Sequence, residues 1–186
     1  MNKLLAFGAS SSKNSRNKKL ASYVATRMAP KESTIVDLNE FEMPIYSEDR
    51  EHEIGIPDKA YEFKKLVNES IGIIISLAEH NGSYTSAFKN IYDWISVIET
   101  TVWGNKPLIL LSTSDGQNAG KTVLQTALSR FSRQSKEEIP HFSLPNFNVN
   151  FSDTDGIINK KLSEELDKQI SIFSSQVDNL LDSSNN

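Results

Sequence analysis

The sequence predicts an α/β protein of the doubly wound class: a three-layer αβα sandwich around a five-stranded parallel sheet with strand order 2-1-3-4-5. Three observations carry that expectation. Apolar runs of strand length alternate with stretches of helical periodicity along the chain. The most apolar run, Ile71-Gly72-Ile73-Ile74-Ile75-Ser76-Leu77, is nearly continuous, as a central strand covered by helices on both faces should be. Loops rich in Ser, Gly and Asn follow the strands that end near Phe7, Leu77 and Leu111. In such sheets ligands bind beyond the carboxyl ends of the strands, at the point where the strand order reverses.

The elements follow in chain order. Lys3-Leu4-Leu5-Ala6-Phe7 is the first strand, and a helix from about Ser15 to Met28 places Leu20, Val24 and Met28 on one face before Pro30 closes it. Thr34 to Leu38 is the second strand. Asn39 to Pro57 reads as a long loop broken by Pro44, Gly55 and Pro57, and loops of that length tend to carry function. Pro57 then opens a helix that runs to Asn68 and leads into the third strand. After Ala78 to Ser83, a helix from about Tyr84 to Ile98 aligns Ala87, Ile91, Trp94 and Ile98. Leu108 to Ser112 is the fourth strand, Thr113 to Gly120 its loop, and Lys121 to about Gln134 the next helix. A fifth, weaker strand lies within Ile139 to Phe151, interrupted by Pro140 and Pro145. A last helix spans about Asn159 to Leu181, and Asp182 to Asn186 is expected to fray.

Length and composition fit one domain over residues 1–181 and exclude several function classes. Hydrophobic residues make up 38% and charged residues 24% of the 186, an ordinary globular balance. The net charge of −4 gives no basic stripe for nucleic acid. Without cysteine there is no disulfide, thiolate metal site or cysteine nucleophile. No run approaches 18 apolar residues, and the start has no signal-peptide pattern, so the expectation is a cytoplasmic protein with no membrane contact. His52, His80 and His141 are scattered with no carboxylate at ligand spacing, so no metal is expected. No Gly-x-Ser-x-Gly elbow occurs, and Gly8-Ala9-Ser10-Ser11-Ser12-Lys13 lacks the further glycines of the dinucleotide fingerprint.

The junction Gly8 to Asn17 gathers hydroxyls, unpaired backbone N–H groups and the positive end of a helix dipole, which suits a phosphate dianion. The plainer alternative is an ordinary strand-to-helix turn in which Ser15 or Asn14 caps the helix. Gly116-Gln117-Asn118-Ala119-Gly120-Lys121-Thr122 resembles a nucleotide-triphosphate loop but is one residue short, with Asp115 where the first glycine belongs. Lys89 and Asp93, four apart on a helix, read as a surface ion pair.

Ala78-Glu79-His80-Asn81-Gly82-Ser83, followed by Ala87-Phe88-Lys89-Asn90 and Asp93-Trp94, resembles the Pro-Glu-Tyr-Asn-Gly-Ser loop and Leu-Lys-Asn…Asp-Trp helix of the NAD(P)H-dependent FMN reductases and quinone or azo-dye reductases of the flavodoxin-like fold. Gly8-Ala9-Ser10 with Ser15 and Asn17, Asp37-Leu38 before Met43-Pro44, and Gly104-Asn105-Lys106-Pro107 are also similar to that family, over roughly residues 3–150. The chain departs from it at Ala78 and His80, where the family has proline and tyrosine. It also departs at Ser11, Ser12 and Lys13, near which the family often has an arginine. The resemblance implies an FMN cofactor with NADPH or NADH as co-substrate. Its contacts would come from Ser10, Ser15 and Asn17 at the phosphate, and from Ala78 to Ser83, Ser112, Ser114, Asp115 and Gly116 around the ring. It implies hydride transfer onto bound FMN and on to a small-molecule acceptor such as a quinone, an azo compound or free flavin, in a homodimer or homotetramer. The flavin carries the chemistry, so no catalytic dyad is expected; His80 is either a proton donor or a spacer. The alternatives are a flavodoxin-like electron carrier or flavin-binding domain without nicotinamide activity, and a flavodoxin-like interaction domain that has lost flavin.

Overall fold

A computed structural model of the chain describes residues 3–184. Five parallel strands form the central sheet: β1 (Lys3–Ala9), β2 (Ser33–Val36), β3 (Ser70–Leu77), β6 (Leu108–Thr113) and β7 (His141–Leu144). They lie in the order β2-β1-β3-β6-β7, which is 2-1-3-4-5 when only the sheet strands are counted. The pairing register sets Phe7 beside Val36 on one side and Ile75 on the other, and Ile75 beside Leu110. The chain thus has the flavodoxin-like fold, and its strand order reverses between β1 and β3.

The three inner strands, β1, β3 and β6, are buried on both faces, and period two still sorts their side chains between the layers. Leu5, Phe7, Ile73, Ile75 and Leu110 pack against α3 (Asp58–Glu69), α4 (Ser86–Ile98) and α5 (Lys121–Phe131). Leu4, Ala6, Ile74, Ile109 and Leu111 pack against α1 (Arg16–Arg27) and α7 (Lys160–Ser184). A continuous apolar run is therefore two alternating stripes, one for each helical layer.

Several expected boundaries move. The stretch read as a loop from Asn39 to Pro57 holds a 3-10 turn over Leu38–Phe41 and α2 (Glu48–Ile54). Asp37 and Ser47 cap these two elements through their side chains, a local signal that the breakers Pro44 and Gly55 obscured. Residues 79–84 form a hairpin, β4 (Glu79–His80) and β5 (Ser83–Tyr84), so α4 starts at Ser86 rather than Tyr84. The helix expected to reach Gln134 ends at Phe131 and gives way to a 3-10 turn over Ser132–Gln134. A short α6 (Phe147–Asn150) precedes a second hairpin, β8 (Phe151–Ser152) and β9 (Gly156–Ile157). The last helix continues three residues past Leu181, to Ser184, so Asp182 and Ser183 are helical; Asn185 and Asn186 lie outside the described residues. Among the described residues no helix is long and apolar enough to cross a membrane.

Candidate functional site

The carboxyl edge of the sheet is built first by how closely α1 approaches β1. A Cβ on Gly8 would lie 2.2 Å from the Lys18 backbone nitrogen and 2.7 Å from the Asn17 carbonyl carbon, so only glycine lets the first turn of α1 sit this near the strand. Ser15 caps that turn, accepting from the Lys18 N–H at 3.1 Å. Ser10 accepts from the Ser12 N–H at 3.1 Å. Among the described residues, the main-chain N–H groups of Lys13, Asn14, Arg16 and Asn17 find no protein acceptor, while a turn at Lys13–Asn14 directs the Ser15 N–H back to Ser12. A run of free donors at the positive end of a twelve-residue helix, flanked by the Ser10 and Ser15 hydroxyls, fits an anion in both geometry and charge. Ser15 therefore caps the helix, as the plainer alternative has it, and its hydroxyl proton stays available at the same place.

The two loops that close the rim are themselves tied down. Asn81 and Gly82 adopt positive φ of 51° and 74°, as the two-residue turn of a tight hairpin requires, which is why Asn-Gly stands there. Glu79 accepts from the Val123 N–H at 3.0 Å and so caps α5 from outside that helix. Thr85, buried, donates to the Ala9 carbonyl at 2.9 Å and accepts from the Phe88 N–H at 3.2 Å, locking the start of α4 to the end of β1. The Gly116 N–H donates to the Ser114 hydroxyl, and the Ser114 and Gly116 carbonyls accept from the Phe147 and Asn146 N–H groups at 3.0 and 3.2 Å. The starts of α1, α4 and α5 thus converge on one edge.

Not every residue expected at the site faces it. Asn17 is buried, and its side chain ties α1 to β3 and β6. Its Oδ1 accepts from the Ser76 hydroxyl at 2.7 Å and the Thr113 N–H at 3.1 Å, and its Nδ2 donates to the Thr113 carbonyl at 3.2 Å. Ser112 is also fully buried; its hydroxyl donates to the Ala119 carbonyl at 2.7 Å and meets Ser143 Oγ at 2.8 Å. Asn17, Ser112 and the Glu79 carboxylate therefore hold the frame of the site, whereas His80, Asn81, Gly82, Ser83, Asp115 and Gly116 are exposed along its rim. Ala78 and Ser114 are partly covered. Lys121, from the nucleotide-loop lookalike, is an exposed first-turn side chain of α5.

Two features went unread in the sequence. Arg16, the first residue of α1, pairs across the rim with Asp115, joining the first loop to the third. This cation lies beyond Ser11, Ser12 and Lys13, the positions near which the resembling family carries its arginine. Asn90 and Trp94 hold the segment before α2: Asn90 accepts from the Tyr46 N–H at 2.8 Å, and Trp94 donates to the Pro44 carbonyl at 2.7 Å. Lys89 and Asp93 form the surface pair expected, at 2.7 Å.

Charge and burial perturb two groups near the rim. The Lys18 ammonium, 2.6 Å away, and the Asn39 N–H hold the Asp37 carboxyl below its ordinary value. Burial, then the neighbouring Tyr92, pushes the Tyr84 phenol up to about 12, and its hydroxyl has no hydrogen-bond partner. Grooves flank the cradle on both sides: about 580 Å³ between α1 and the β8–β9 hairpin, including Lys13, Lys19 and Tyr23, and about 350 Å³ including Ser11, Met43, Ile45 and Ala87. Among the described residues no group of three His, Cys, Asp or Glu could hold a metal ion.

Known proteins resemble this chain in sequence and in fold. The profile of NADPH-dependent FMN reductase matches residues 2–148. The chain is 32% identical over 117 residues to a 2-hydroxy-1,4-benzoquinone reductase of a Burkholderia species, covering 62% of each protein. It is 27% identical over 79 residues to a quinone reductase of Escherichia coli K12, covering 42% of each. The matched stretch is thus under two thirds of those relatives' length. In fold it is similar to the flavoenzyme NAD(P)H:(acceptor) oxidoreductase FerB of Paracoccus denitrificans, with a TM-score of 0.73 at 18% identity over 96% of this chain and 98% of that one. It is also similar to an FMN-dependent NADH-azoreductase of Bacillus anthracis solved with FMN, with a TM-score of 0.61 at 12% identity over 97% and 99% of the two chains. With the match spanning the sheet, the cradle and both rim loops, the chain belongs to the NADPH-dependent FMN reductase family.

Proposed function

We propose that the protein is a cytoplasmic NAD(P)H-dependent oxidoreductase, one domain over residues 1–181, that holds FMN on this rim and passes reducing equivalents to a small-molecule acceptor such as a quinone. The observation that carries this reading is the meeting, on one edge, of the free N–H groups of Lys13, Asn14, Arg16 and Asn17 with the Asn81-Gly82 turn and the Ser114 to Gly116 loop. Family membership and the quinone-reductase relatives support the activity.

FMN, when bound, supplies the two-electron chemistry. The chain's own residues bind and orient. Ser10, Ser15 and the α1 N-terminus would hold the phosphate. The exposed His80 to Ser83 turn and Asp115 main chain would face the ring, with glycine at 82 and 116 admitting close approach. Glu79, Asn17 and Ser112 keep these loops in place, so the site is rigid before any ligand arrives. His80, exposed at the hairpin, has no fixed partner among the described residues that would make it a proton donor, and we assign it a spacing role. We further propose a homodimer or homotetramer; exposed Ile45, before α2, and Ile54, its last residue, are apolar surface that a second copy would cover.

Purified protein loaded with FMN should be yellow and should bleach on anaerobic addition of NADPH or NADH. A yellow protein that neither nucleotide bleaches would be a carrier, and a colourless protein that ignores added FMN would remove both flavin readings. Sedimentation would check the assembly, a monomer at micromolar concentration refuting it.

A further inference from the structure

The first turn of α1 is charged against its own dipole. It contains no acidic residue, yet it carries Arg16, Lys18 and Lys19 at the helix's positive end, where cations are unfavourable and anions favourable. Each cation is neutralised by a carboxylate from a different loop: Arg16 by Asp115, Lys18 by Asp37 at 2.6 Å, and Lys19 by Asp153 at 2.8 Å. These pairs differ in what else holds them. Asp37 also accepts from Asn39 N–H and Nδ2 at 3.0 and 2.7 Å and caps a 3-10 turn, so it is fixed in place. Lys19 and Asp153 bridge outward to the β8–β9 hairpin. Asp115, by contrast, has no partner other than Arg16 among the described residues, and both side chains of that pair are close to half exposed, at 45% and 46%. Arg16 also belongs to the run of residues whose main-chain N–H groups have no protein acceptor.

We propose that Asp115 is a built-in counter-ion: it occupies Arg16 while the cradle is free and yields it to the phosphate of the incoming ligand. The inference rests on the FMN reading above and deepens it, because it makes Arg16 and Asp115 the residues that discriminate a phosphorylated flavin from an unphosphorylated one. The charge balance favours the exchange. A phosphate monoester carries nearly two negative charges near neutral pH and accepts a guanidinium in bidentate fashion, whereas the carboxylate brings one charge and loses little by returning to water at a half-exposed site. The Ser114 to Gly116 loop keeps its own main-chain bonds to Asn146 and Phe147 throughout, so the exchange is confined to the Asp115 side chain and the ring end is not disturbed.

The test is a titration of FMN and of riboflavin, which lacks the phosphate, read by flavin fluorescence quenching in wild type, Asp115→Asn, Arg16→Gln and the double variant. Inorganic phosphate is followed in parallel by the melting temperature. Asp115→Asn should tighten FMN about fivefold, the scale of one half-exposed ion pair, and leave riboflavin unchanged. Arg16→Gln should weaken FMN by a similar factor, and in that background Asp115→Asn should have no effect. The exchange is refuted if Asp115→Asn weakens FMN, which would make the carboxylate a brace for Arg16. Equal shifts for both flavins, or a gain that survives in Arg16→Gln, would refute it too. Wild type that binds FMN, with Asp115→Asn unchanged, sinks the exchange alone. Wild type that binds neither flavin sinks the FMN reading; a larger phosphate-induced stabilisation in Asp115→Asn would then still support the exchange, and an equal one would sink both.

Discussion

Replacing Asn17 with alanine separates a frame residue from a ligand residue. The Asn17 amide makes three hydrogen bonds at 2.7, 3.1 and 3.2 Å, to Ser76 and to both main-chain groups of Thr113. All three residues are almost fully buried, Ser76 at 0%, Thr113 at 2% and Asn17 at 5% exposure. Alanine removes the bonds and leaves the Thr113 N–H, the Thr113 carbonyl and the Ser76 hydroxyl desolvated. At about 1–3 kcal/mol for a buried polar group left without a partner, and with Ser76 free to turn its hydroxyl, the loss should be about 3–5 kcal/mol. For a chain of this length that is a drop of roughly 10 °C in melting temperature. Urea unfolding followed by tryptophan fluorescence should show the midpoint falling with the slope unchanged. A loss below about 1 kcal/mol, with flavin affinity sharply reduced, would mean that Asn17 contacts the phosphate and does not hold β3 to β6.

Three further outcomes follow from the same geometry. Glu79→Ala should cost about 1 kcal/mol by uncapping α5 at Val123, while Glu79→Gln should recover most of it; equal losses in denaturant would refute the cap. Tyr84→Phe should be neutral or stabilising by about 1 kcal/mol, because it deletes a buried hydroxyl without a partner. The raised phenol also makes wild-type stability intact below the ordinary value of 10.0 and progressively lost as pH rises toward about 12, so Tyr84→Phe should flatten that alkaline limb in a melting-temperature profile. The depressed Asp37 carboxyl has the opposite sign: its contribution is present above the ordinary 3.8 and lost as pH falls through its lower folded value. Asp37→Asn should therefore shrink the acid-side slope, and an unchanged slope would show that Lys18 gives the carboxylate nothing.

Sheet and layers were legible in the sequence because burial writes itself into local pattern. A strand covered on both faces must be apolar throughout, as Ile71 to Leu77 is, and a helix with one covered face repeats every three or four residues, as Leu20 and Val24 do. The site was legible only as a set of loops. Ser15, Asn81 and Gly82 declare themselves because caps and tight turns demand particular residue types locally. The local elements between Asn39 and Pro57 were missed because two breakers outweighed the capping Asp37 and Ser47.

The division between Asn17, which points inward, and Arg16 beside it, which reaches across to Asp115, is written in no local pattern, since adjacent residues of a helix face different surroundings. The sequence alone determined that an α/β sheet would carry polar loops at its carboxyl edge. Which side chains on that edge brace the frame and which remain free for a ligand was decided by partners 59 and 96 residues away, brought into reach only when the strands paired.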